Sequence, residues 1–184
     1  WFYASANSTY IDRLVTYSYK EKVWTIGSLA RTTWKGADVF EYPFATRYSP
    51  NATTTATPNV IGVTEGRSNL YQHEIGTNAD GEALTAYVES GDIDIADGED
   101  ITFIRRYIPD FKNQQGDLTM TFKVRQYPGS SQVTASTATV YSTTTKIDTR
   151  VRGRQVGIRI ESNSTNNVWR FGTLRVDGQP DGKR

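Results

Sequence analysis

Apolar and polar residues alternate with a period of two along most of this chain, and no window carries a helical stripe. The cleanest run is at 118–125, where Leu118, Met120, Phe122 and Val124 alternate with Thr119, Thr121, Lys123 and Arg125. A strand with one face on a core has this signature, because successive side chains leave opposite faces of the sheet. A second stretch, 149–178, reads as two long strands joined by a polar turn. In its first arm Val156, Ile158 and Ile160 point one way, and Gln155, Gly157 and Arg159 the other. In its second arm Trp169, Phe171 and Leu174 are apolar while Arg170 and Arg175 stay in water. Between the arms lies SNSTNN at 162–167, short polar side chains that bond to nearby backbone and favour a turn. Such a hairpin needs a second sheet over its apolar face.

The same alternation predicts strands at 1–3, 13–19 and 23–27, the last two joined by a charged turn at 20–22. This strand, loop, strand, turn, strand order resembles one blade of a β-propeller, although no second copy follows. Residues 28–34 are ambiguous between turn and strand. Residues 35–64 read mostly as loop, with Pro43, Pro50, Pro58 and the low-complexity run NATTTATPN at 51–59. Further strands are expected at 69–75 and 83–89, the latter continuing at 91–95 past a bulge at Ser90-Gly91, with Ile93 and Ile95 toward the core and Asp92 and Asp94 in water. Strands at 101–108 and 118–127 end at Pro109 and Pro128, and a Thr-rich edge strand covers 134–145. About seven strands over roughly 110 residues suit a β-sandwich. The expectation is all-β: a propeller-blade-like fragment at 1–34, an exposed linker at 35–64, and an antiparallel β-sandwich-like domain at 65–184.

Composition sharpens this. The 184 residues are 36% hydrophobic and 12% aromatic, with a weight of Tyr and Trp that suits strands and contact surfaces. A net charge of +1 points to neither nucleic acid nor membrane as a partner. The absence of Cys excludes disulfides and thiolate metal sites, and fits assembly in a reducing cytoplasm. No apolar run reaches membrane-spanning length, so no membrane insertion is expected of this segment. The chain opens WFYASANS without Met, as though within a strand, which suggests the C-terminal piece of a longer polypeptide.

The only His, His73, lacks a recognisable nucleophile motif and reads as a solvent-facing strand residue. Between Ser68 and Ile104 there is no Lys or Arg, while Glu74, Asp80, Glu82, Glu89, Asp92, Asp94, Asp97, Glu99 and Asp100 all occur. Asp92, Asp94 and Asp97 are spaced closely enough to raise a calcium loop, without EF-hand spacing. Glu89 and Asp92 raise a glycosidase pair. The plainer reading makes these a solvated strand edge and turn. Basic residues gather C-terminally: Lys146, Arg150, Arg152, Arg154, Arg159, Arg170, Arg175, Lys183 and Arg184. No RNA- or DNA-binding motif accompanies them. An acidic and a basic surface on one domain suit head-to-tail contact between identical subunits in a ring, which salt should weaken. Three sequons, at Asn7, Asn51 and Asn163, matter only in a secreted protein.

The phrases WFYASANSTYIDRLVTYSYKEKVWTIGSLARTTW, LYQHEIGT, AYVESGDIDIADGED, FIRRYIPDF and RVRGRQVGIRIESN…VWRFGTLRVDGQPDGKR, covering nearly the whole chain, resemble the C-terminal region of tail proteins from short-tailed bacteriophages and their prophage relatives. The likeness is to the nozzle type, also called tail tubular or packaged-DNA-stabilisation proteins. It implies a virion protein assembled in the host cytoplasm, six copies in a ring below portal and adaptor, a β-propeller with appended β-domains, and contacts to fibres or spikes. The ring prolongs the channel through which double-stranded DNA passes without sequence recognition, and helps retain the genome. The resemblance implies no enzyme activity, no catalytic residue and no cofactor. Asp92, Asp94, Asp97, Asp100, Arg150, Arg152, Arg154 and Arg159 become the candidates for subunit interface or channel wall, an acidic wall letting DNA slide by repelling its phosphates. The competing reading is a carbohydrate-binding β-sandwich, or the end of a glycan-degrading tailspike, whose sugars would stack on Tyr and Trp.

Overall fold

A computed structural model describes residues 1–49, 67–94 and 99–182. They form antiparallel sheets and no helix, so the all-β expectation holds. The chain divides into two compact units, Trp1–Gly76 and Thr77–Arg184.

The first unit contains β1 (Phe2–Tyr3), β2 (Arg13–Ser18) and β3 (Val23–Ser28) in one sheet, and β4 (Thr33–Lys35), β5 (Phe44–Ser49) and β6 (Arg67–Gln72) in another. The β2–β3 hairpin is the one its alternation predicts, with Tyr17 opposite Trp24 and Val15 opposite Ile26. Phe2, on the other face, meets the Trp34 ring at 5.5 Å, which brings the two sheets together. The expected linker is corrected here. β4 reaches Lys35, and β5 lies inside the stretch read as loop, with Ala45 fully buried. Its FATRYS sequence alternates, but flanking Pro43 and Pro50 conceal a short strand among breakers. β6 pairs along β5, so a strand assigned to the second domain belongs to the first unit. The run at 51–59 lies outside the described residues.

The second unit opens with a two-residue hairpin, β7 (Asn78–Ala79) and β8 (Glu82–Ala83). Asp80 and Gly81 at its tip have φ of 57° and 84°, the left-handed pair that a type I′ turn requires and Asp-Gly supplies. Next come β9 (Ala86–Glu89), β10 (Ile93–Asp94), β11 (Thr102–Ile108), β12 (Phe111–Gln115), β13 (Leu118–Arg125), β14 (Val133–Val140), β15 (Ile147–Gly153), β16 (Gln155–Ser162), β17 (Val168–Phe171) and β18 (Arg175–Pro180). One sheet runs β14-β13-β16, with β9 and β10 sharing the far side of β16; the other runs β15-β11-β18. Glu89 pairs with Arg159 and Ile93 with Val156, four steps against three, so the expected bulge at Ser90-Gly91 is present. Ser90 Oγ accepts the Ile158 amide at 3.0 Å and mends the ladder there.

The core lies between these two sheets. Leu118, Met120, Phe122 and Val124 are all buried, as their alternation predicts, with Val156, Ile158 and Ile160 beside them and Ile104, Tyr107 and Val151 opposite. Tyr107 is wholly enclosed, and burial pushes its phenol up to about 12. The Thr-rich strand is β14, which among the described residues pairs only with β13 and so forms an edge.

The hairpin expected over 149–178 is not one. β15 and β16 are separated by Arg154 alone and enter different sheets. β17 pairs with β12, not β16, and β18 pairs with β11. The rings decide this. Phe111 meets Trp169 edge-on at 6.0 Å and Phe171 at 5.6 Å, and the Trp169 indole donates to Ser162 Oγ at 3.0 Å. These aromatics, with Leu174, pack against the core cluster instead of extending the sheet.

Candidate interaction surfaces

On the outer face of the five-stranded sheet, acid and base alternate across the strands. The register places Glu89 beside Arg159 and Tyr87 beside Glu161, with Arg159 opposite Thr121 on β13. Arg159 donates to Glu89 at 2.8 Å and sits 2.7 Å from Glu161, its guanidinium 3.9 Å above the Tyr87 ring. Lys123 closes on the other Glu89 oxygen. Those two cations hold the Glu89 carboxyl below the ordinary glutamate range, Lys123 foremost, and the two carboxylates push the Arg159 pKa up in turn. Further along, Arg125 donates to Asp92 at 2.6 Å and Gln132 donates to its other oxygen at 2.7 Å. Gly157 lies beneath that contact; a Cβ there would come within 3.0 Å of Gln132 Nε2.

Two carboxylates of the acidic segment, Glu89 and Asp92, are thus paired within the domain, with Lys123, Arg159 and Arg125. Asp92 is half-buried and bonded through both oxygens, which corrects its assignment to open water; Ile93 beside it is 42% exposed at the sheet edge, not in the core. Asp94 is exposed, within 3.3 Å of the Gln155 amide. Asp97, with Ile95, lies outside the described residues. Asp100 is half-buried after them. Among the described residues no three His, Cys, Asp or Glu side chains gather where a metal would sit. Glu89 lies between Lys123 and Arg159, which favour its ionised form and suit it poorly to the general-acid role of a glycosidase pair.

Arg150 and Arg152 project from alternate positions of β15. Arg152 pairs with Asp181, while Arg150 makes no ion pair among the described residues. Arg154 donates to the Glu99 carbonyl and lies 5.5 Å from the Tyr127 ring centre. His73 follows β6 and is half-buried: Arg31 Nε donates to its Nε2 at 2.8 Å, and the Trp34 ring lies 4.7 Å away. Burial and the Arg31 charge push its pKa down, so the neutral ring carries its proton on Nδ1.

The first unit carries a different surface. Trp1 and Val15 exchange both backbone hydrogen bonds, at 2.7 and 2.9 Å, so Trp1, Tyr3, Val15, Tyr17, Trp24 and Ile26 share one face of the β1–β3 sheet. Trp1 is 72% exposed, Trp24 60% and Ile26 73%. Trp24 lies 5.6 Å from Trp1 at an interplanar angle of 29° and 4.6 Å from Tyr17 at 35°. Exposed apolar residues are ordinary one at a time; a contiguous band of them marks a contact surface.

No family model matches the chain, and no curated protein matches it.

Sequence reasoning missed Tyr87, Lys123, Arg125 and Gln132 as partners of the acidic segment, because register alone brings them together. Gly157 was the available signal: a glycine inside a strand marks a close approach.

The ion-pair ladder makes a pH prediction. Because Glu89 titrates lower folded than unfolded, its contribution is complete above the ordinary glutamate value of 4.5 and is lost as pH falls below it. Glu89→Gln should cost about 0.5–1 kcal/mol at neutral pH and flatten the acid limb of stability measured by urea unfolding. An unchanged acid limb would place Glu89 outside the ladder.

Proposed function

We propose that the chain is a structural virion protein of a phage tail, a subunit of a ring that extends the DNA channel, helps retain the packaged genome and contacts neighbouring tail proteins. Its likeness in sequence to nozzle proteins supports this reading, and one observation carries it: the exposed aromatic band on the β1–β3 sheet. A propeller blade is a short antiparallel sheet whose face is covered by the next blade. A three-stranded sheet with Trp1, Trp24 and Ile26 bare on one face suits a blade that awaits its neighbour. In this reading the ring holds six copies, as in the family it resembles; the protein resides in the virion after assembly in the host cytoplasm and transforms no substrate.

The same rings favour protein contact over sugar. A glycan platform offers open ring faces, whereas Trp24 turns toward Trp1 and Tyr17 at small interplanar angles. The test is native mass and negative-stain imaging of the purified chain, alone and with portal-proximal tail proteins, alongside a glycan array. Annular particles that bind no glycan are expected. A monomer that binds host polysaccharide overturns the proposal in favour of the lectin-like alternative.

A further inference from the structure

Among the described residues the five-stranded sheet has two unpaired sides, and their chemistry differs from that of a protected edge. On one side is β14. Among the described residues it pairs only with β13, and residues 126–145 around it carry no charged side chain. Monomeric sheet proteins guard long edges with lysine, proline or bulges. β14 has a single bulge, at Ala135, where Phe122 pairs with Ser136 and Lys123 with Thr134. Beyond it the ladder is regular to Val140, whose carbonyl is taken by Gln114 Nε2 at 2.8 Å. The open stretch is thus 136–139. On the other side is β9, Ala86–Glu89, of the same length and ended by the bulge at Ser90-Gly91.

Polarity relates the two. β9 is antiparallel to β16, β16 to β13, and β13 to β14, so β14 runs antiparallel to β9. A sheet of four strand positions can therefore be continued by an identical sheet, β14 of one copy against β9 of the next, with every pair antiparallel and the same face outward. The core-facing side chains agree. Val88 lies opposite Ile160 on the core side yet remains 41% exposed, because the sheet stops beside it. Ala138 and Ser136 occupy the core side of β14, opposite Met120 and Phe122. Joined, Ala138 would cover a neighbour's Val88.

We infer that the β14 edge of one copy adds to the β9 edge of the next, so that the five-stranded sheets form one continuous antiparallel sheet around the assembly. The inference rests on the ring reading and names its contact. The junction is heterologous, the kind that closes into rings, and it draws on backbone hydrogen bonds and small apolar contacts. Assembly through it should survive high salt, contrary to the expectation from opposed charged surfaces.

The experiment uses two edge-blocked variants of the whole chain, Thr137→Lys/Thr139→Lys on β14 and Val88→Lys on β9, each checked for fold by circular dichroism. Wild type should sediment as a large oligomer. Each variant alone should be monomeric, its association weakened on the order of 100-fold. A one-to-one mixture should give dimers, because it restores a single intact junction. Val88→Lys assembling alone would overturn the head-to-tail contact, as would a mixture that stays monomeric. If both variants assemble like wild type, the edges are not the junction and the ring reading stands on another surface; a wild-type monomer at all accessible concentrations overturns both. Amide hydrogen exchange of wild type gives a check free of substitutions. Protection of both Ala86–Glu89 and 136–139 should rise with protein concentration, and invariance in either segment rejects the pairing.

Discussion

Phe122→Ala should destabilise the second unit by about 3–5 kcal/mol, the cost of deleting a buried phenylalanine whose surroundings cannot collapse. Phe122 stands in the middle of the central strand, paired on one side with Ile158 and on the other with Ser136. Its ring is 2% exposed and meets Tyr107 edge-on at 6.3 Å, spanning the gap between the two sheets. Neither flanking strand can move inward without breaking a ladder, so the cavity stays. Against a typical domain stability of about 5–15 kcal/mol this loss leaves little reserve. Urea unfolding followed by circular dichroism, with hydrogen exchange to assign the transition to β13 and β16, measures it. A loss below about 1 kcal/mol would mean that Phe122 does not bridge the sheets.

Much of this core was written plainly in the chain. Leu118 to Val124 and Val156 to Ile160 alternate over strands long enough for one face to be unambiguous, and both faces are as expected. Partner choice was not so written. Val168–Phe171 alternates equally well whether it pairs with β16 or β12, and only the meeting of its rings with Phe111, far away in sequence, selects β12. The change of sheet at Arg154 is invisible for the same reason: 147–162 alternates on both sides of one residue and reads as a continuous strand. The acidic segment failed differently. Composition showed a run of carboxylates without local cations, but strand pairing carries Lys123, Arg125 and Arg159 to them from elsewhere in the chain. Charge that looks segregated along a β sequence is thus readily neutralised in space, and a surface potential read from a linear run is unsafe until register is known.

The aromatic band shows the converse. Tyr17 and Trp24 alternate within the β2–β3 hairpin like core residues, and Trp1 joins their face from the neighbouring strand, yet all three are exposed. An apolar face that is patterned as a core and left bare is a candidate contact surface. The band and the β14 edge lie in different units, so substitutions at one should leave the other's local fold intact. Trp24→Ser therefore probes the band independently of the edge variants.

Gly153→Ala should cost the second unit about 1–3 kcal/mol, although alanine normally stabilises a strand relative to glycine. Gly153 ends β15 just before the chain crosses at Arg154, whose amide donates to the Arg125 carbonyl at 3.1 Å and pins the corner to β13. There the sheets converge. A Cβ on residue 153 would lie 2.8 Å from the Val124 Cβ and 3.1 Å from its Cγ1. Val124 cannot yield easily: it is β-branched, and its strand is bonded to β14 and β16 on both sides. The reduced entropy of the unfolded chain returns only about 0.4–1 kcal/mol, so the clash decides the sign. Gly91→Ala is the matched control, because nothing lies within 4 Å of its Cβ position; there the entropic gain should stand alone and raise stability slightly. The decisive measurement is a double-mutant cycle with Val124→Gly, which removes the Cβ as well as the methyls. Without those atoms the clash is relieved, so Gly153→Ala should cost less in that background than in wild type, with a coupling of about 0.5–3 kcal/mol. Additive losses would mean that the two side chains do not meet, and that something other than this glycine lets the two sheets come together at the corner.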